Sequence, residues 1–125
     1  MIPNVKISHT ILEFGKEIIN QLPKGYSKND LDAAMKVILS VWNSVTVDSW
    51  NGNKENEMVL LKAIEVAPKQ VQLEFKQLIA RKKKFFSNDL RAVGKHWIRE
   101  DNGQLIFGCD ARANVADLPA NTKLH

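Results

Sequence analysis

The chain has one cysteine, three widely separated histidines and no long apolar run, and each scarcity excludes something. With Cys109 alone there is no internal disulfide, and a small domain without such a staple fits a reducing compartment. His9, His96 and His125 are far apart, no Cys/His pair has ligand spacing, and no carboxylate-rich loop resembles a calcium site, so no metal is expected. There is no glycine-rich phosphate loop, no Gly-x-Ser-x-Gly elbow and no His-Glu-x-x-His, so no catalytic residue and no cofactor is expected. The most apolar window, Ala33 to Val47, is interrupted by Lys36, Ser40, Asn43 and Ser44, far short of a membrane span. The first residues, Met1-Ile2-Pro3-Asn4-Val5-Lys6, have no apolar run or small-residue cleavage site, and a cytoplasmic protein is expected.

What is present is a chain of 125 residues, 44% hydrophobic and 26% charged, enough for one domain with a real core. No internal repeat or low-complexity tract appears. Periodicity predicts a mainly α, α+β fold: four helices packed together, with a C-terminal antiparallel β-hairpin. The helices are predicted over about 8–22, 28–45, 54–66 and 68–86, the hairpin over about 91–111, all within one domain spanning 1–112. Residues 113–125 have little to bury and are expected to form a mobile tail.

In the first helix Ile7, Ile11, Phe14, Ile18 and Leu22 share a face, Ser8 suits the N-cap, and Gly15 beside that face would let another helix approach closely. The second starts at Ser27 with Asp30 three residues on, and Leu31, Ala34, Met35, Ile38, Trp42 and Val45 form its stripe. Thr46 to Trp50 reads either as its frayed last turn or as a short extended piece. The third, with Met58-Val59-Leu60-Leu61 and then Ala63, Ile64 and Val66, is apolar over most of its circumference and should be mostly buried. Pro68 suits the first position of the fourth, whose stripe is Val71, Phe75, Leu78, Ile79 and Phe86.

Asn102-Gly103 is a strong two-residue hairpin signal. It sets Glu100 opposite Leu105, Ile98 opposite Phe107, Trp97 opposite Gly108 and His96 opposite Cys109. Ile98, Leu105, Phe107 and Cys109 can cover the helices, and Trp97 can lie over Gly108. The His96/Cys109 pair has the makings of an activated thiol, but Asp110 points to the other face and a buried Cys beside a hydrogen-bonded His is the simpler reading. If the Trp97/Ile106 face is uncovered, it suits a partner or a second copy.

Charge is concentrated in residues 68–100, with nine Lys/Arg against three Asp/Glu. Lys76, Arg81 and Lys84 share the outward half of the fourth helix, and Arg91, Lys95 and Arg99 alternate along the first strand. Together these six are candidates for holding a polyanion such as a nucleic-acid backbone. The same charges also complement a helix dipole and guard a strand edge, which needs no ligand.

Val41-Trp42-Asn43 through Trp50-Asn51-Gly52-Asn53, then Ile79-Ala80-Arg81-Lys82 and the closing hairpin, resemble small uncharacterised bacterial proteins of plasmids and mobile gene cassettes. The likeness spans most of residues 30–112. It implies a bacterial cytoplasmic accessory protein, and since such families carry no established activity it transfers no functional residue. The expected function is a non-catalytic intracellular interaction protein acting through a protein partner or homo-oligomer. Nucleic-acid binding through the basic surface is the alternative.

Overall fold

A computed structural model describes residues 6–112; the expected tail at 113–125 lies outside them. The elements run α1 (Ile7–Phe14), α2 (Lys16–Ile19), α3 (Lys28–Asn51), α4 (Glu55–Ala63), α5 (Lys69–Phe85), β1 (Ala92–Asp101) and β2 (Gln104–Arg112). This is the α+β fold with a closing hairpin that the periodicity predicts. The helix expected over 8–22 is divided, because the chain bends at Gly15 between α1 and α2.

Ile11, Phe14, Met35, Ile38, Val41 and Trp42 are wholly buried, and α3 supplies more of the core than any other element. Phe14, Trp42 and Phe86 meet edge to face, with centroids 5.2, 5.6 and 5.7 Å apart, and so tie α1, α3 and the end of α5 together. A Cβ on Gly15 would collide with Ile38, whose Cγ1 and Cγ2 would be at 2.8 and 2.9 Å. The close approach expected at this glycine is therefore present. Ser27 accepts from the Asp30 N–H while the Asp30 carboxylate accepts from the Ser27 N–H, completing the capping box of α3. Thr46 to Trp50 is helix, and α3 ends at Gly52 with φ 68°.

Three expectations are corrected. Ser8 lies inside α1 and is buried; Lys6 precedes the helix without a side-chain cap. Pro68 is the N-cap of α5, its ψ of 150° placing it just outside the helix. α4 is not mostly buried: Leu60, Leu61 and Ile64 pack on the core, while Met58 and Val59 are exposed. The circumference is apolar, but the core lies along one side only, so only one side is covered.

Asp48, buried near the end of α3, holds the start of α4. Its two carboxylate oxygens accept the Asn56 and Glu57 N–H groups, each at 2.9 Å, satisfying donors the first turn of a helix leaves open.

Candidate interaction surface of the hairpin

Asn102 and Gly103 have φ of 52° and 79°, the paired positive values of a type I′ turn. The register that follows is the one the Asn-Gly turn dictates, including His96 opposite Cys109 and Trp97 opposite Gly108. It slips once, between Val93 and His96. There the Lys95 N–H donates to Asp110 Oδ1 at 2.8 Å, so a side chain supplies the acceptor the ladder lacks.

The hairpin is fastened to α3 by side chains that bond main chain. Asn43 receives the Val93 N–H on its oxygen (2.8 Å) and donates its amide to the Val93 carbonyl (3.0 Å), replacing a neighbouring strand. Trp42 donates to the Arg91 carbonyl at 2.7 Å and Trp50 to the Leu90 carbonyl at 2.8 Å. Trp50 thus ties the segment before β1 to the last turn of α3.

Alternation does the rest. Ile98 and Phe107 are buried, with Leu105 and Cys109 packed beside them. On the outer face Trp97 is 45% exposed and Ile106 is 37% exposed. The Trp97 indole lies across Gly108, where a Cβ would be 2.9 Å from Cζ2. Glycine is required there because the ring occupies that space.

The six cations divide into two groups. The Arg81 guanidinium donates to the Phe14 and Glu13 carbonyls, both at 3.0 Å, at the open end of α1. Arg91 grips buried Asp89 through two bonds, 2.9 and 2.6 Å, and reaches Thr10; this pairing raises its pKa. Both serve the fold. Lys76, Lys84, Lys95 and Arg99 are exposed, and none forms an ion pair with a described residue. Lys84 and Arg81 flank the exposed ring of Phe85, at 5.2 and 5.7 Å from its centre. An open cleft of about 320 Å³ lies beside that ring.

His96 turns to Asp32 of α3, with Nε2 3.2 Å from Oδ1. Lys36 and His96 together hold the Asp32 carboxyl below its ordinary range. Cys109 is partly buried, and burial with Asp110 nearby pushes its thiol up to about 11, Arg91 opposing. A thiol so placed stays protonated near neutrality, the reverse of what a nucleophile needs. No group of three His, Cys, Asp or Glu suited to a metal ion gathers among the described residues. No helix among them is long and apolar enough to cross a membrane.

Lys82 is the residue that sequence reasoning missed. It is 2% exposed, donates to the Phe86 and Asp89 carbonyls at 2.8 Å each, and lies 4.1 Å from the Trp42 ring centre. Burial lowers its pKa to about 8, with Asp89 opposing. A signal existed. Position 82 is three and four residues after Ile79 and Leu78 and four before Phe86, on the buried stripe itself.

Comparison with protein-family models, curated proteins and solved structures gave no match for this chain.

Proposed function

We propose that the protein is a non-catalytic interaction module working inside the cell, and that it associates with a second copy through the outer edge of β2. One observation carries this reading. From Gln104 to Cys109 the strand has no charged residue and no proline, while β1 carries Lys95, Arg99, Glu100 and Asp101. Charges along an edge strand discourage pairing with another chain, and their absence invites it. A two-fold pairing of β1 edges centred on Trp97 would set Lys95 against Arg99 of the partner subunit, a like-charge clash. No such clash arises along β2. Pairing there would join two hairpins into four strands through main-chain hydrogen bonds and bring exposed Ile106 toward the junction.

Sedimentation velocity over a concentration series tests the reading. The wild type should show a dimer, and Ile106→Glu, which brings two carboxylates toward the seam, should move the population to monomer. A wild type that remains monomeric at high concentration would refute self-association.

A further inference from the structure

The outer face of the hairpin combines features that an edge pairing does not use. Trp97 lies against Gly108 through Nε1, Cε2 and Cζ2 of its indole and is 45% exposed. Among the described residues no aromatic ring or cation packs against it. Lys95 and Arg99 stand two positions before and after it on β1, both exposed and neither in an ion pair with a described residue. At about 3.3 Å per residue the two Cα positions are roughly 13 Å apart, with the indole between them.

We propose that this face is a stacking platform for single-stranded nucleic acid, with Trp97 taking an unpaired base on its exposed indole and Lys95 and Arg99 taking phosphates on either side. The charge selects an anionic occupant. A second copy seated on this face would bring the cations of both copies together. The ring selects among anions. A base has a planar π-face to lay on the indole, whereas an acidic peptide would satisfy the cations and leave the ring unused. Unpaired bases are required, because in a duplex the base faces are already stacked on one another and closed to the indole. Two carboxylates share this face: Asp110 is already engaged by the Lys95 N–H and by Arg112, and Asp101 stands at the turn, two positions beyond Arg99 and four from Trp97. Recognition would be indifferent to sequence, since every base has a face and phosphate contacts carry no sequence information. The inference goes beyond self-association and does not need it, because one chain holds the whole platform.

The test is fluorescence anisotropy with a labelled oligothymidylate of about ten nucleotides, within the roughly 4–16 occupied by small single-strand sites. Titrations are run at concentrations where sedimentation shows a single species, so the outcome is decisive whether or not the chain self-associates. Trp97→Leu should weaken binding roughly five- to a hundred-fold, the worth of one stacked base, while Trp97→Tyr should retain most of it. Lys95→Ala with Arg99→Ala should reduce the slope of log K against log salt by about 1.4, from about 0.7 per phosphate on a single strand. Circular dichroism of each variant confirms the fold. The proposal is overturned if the wild type does not bind at low salt, or if Trp97→Leu, folded, binds as tightly as wild type. It is equally overturned if poly-glutamate displaces the oligonucleotide as well as unlabelled oligothymidylate does, which would make the occupant an acidic protein.

Discussion

The ammonium of Lys82 stands 4.1 Å from the centre of the Trp42 ring, and both side chains are closed off from solvent. A cation in that position is held by the ring and by two carbonyls, yet it has lost its hydration. The balance is visible in its pKa, which burial lowers from 10.5 to about 8. The residue therefore fastens the end of α5 to the segment leading into β1 and carries a pH dependence with it.

That dependence has a definite sign. As pH rises through 8 the folded protein releases the Lys82 proton while the unfolded chain keeps it, so the unfolded state holds more protons and stability increases. Cys109 opposes this: burial raises its thiol from 9.0 to about 11, so the unfolded chain loses that proton first and stability falls between about pH 9 and 11, overlapping the Lys82 window. In a Cys109→Ala background, urea unfolding should show a gain of about 1 kcal/mol between pH 8 and 9, from 1.36 kcal/mol per pKa unit. Adding Lys82→Met should flatten the profile there. A profile equally steep with methionine at 82 would show that another group titrates.

The second expectation concerns Gly15 and Ile38. A methyl group at 15 would collide with a side chain that is wholly buried and cannot move aside freely. Gly15→Ala should cost about 1–3 kcal/mol by overpacking. Ile38→Ala removes Cγ1, Cγ2 and Cδ1, all of which would be struck, so the double variant should be more stable than the sum of the two single costs implies, by about 0.5–3 kcal/mol. Strict additivity in chemical unfolding would mean that α1 and α3 do not meet at this point.

Which parts of this were legible in the sequence follows from how local the physics is. The register could be read because Asn102-Gly103 sets the phase and every later pair is then fixed by a period of two. The stripe of α3 could be read because it is long and amphipathic. The exposure of Met58 and Val59 could not, since an apolar circumference shows what a helix is able to bury and not how many neighbours it meets. Lys82 was hidden by its company: within Arg81-Lys82-Lys83-Lys84 it looks like surface, and only its place on the helix distinguishes it. The roles of Arg81 and Arg91 depend on partners up to 81 residues away, the span from Thr10 to Arg91. No periodicity reports such contacts.

Asn43 provides the third expectation. Its amide satisfies both main-chain groups of Val93, which is 5% exposed and has little water to turn to. Asn43→Leu should orphan both groups, at about 1–3 kcal/mol for each one left unsatisfied. Asn43→Asp keeps the acceptor and loses the donor, so it should fall between wild type and leucine in urea midpoint. If leucine were tolerated without loss, the attachment of β1 to α3 would have to come from Trp42 and the core contacts alone.

The last expectation separates the cations that build the molecule from those that face outward. Arg81 donates two hydrogen bonds to carbonyls at the end of α1, where a helix has acceptors with no partner of its own. Lys76 and Lys84 lie on the same helix, exposed, with no ion pair to a described residue. Arg81→Met keeps much of the stem and removes the donors, so it should destabilise by about 1.5–3 kcal/mol, the range for hydrogen bonds to charged groups. Lys76→Met should stay within about 0.5 kcal/mol of wild type, as exposed substitutions away from special contacts do, and Lys84→Met, which gives up the contact with the exposed Phe85 ring, should cost no more than about 1 kcal/mol. Thermal or urea unfolding of the three variants decides the point. Equal losses at all three would mean that the basic face contributes to stability as a whole and that Arg81 has no separate role in holding α1.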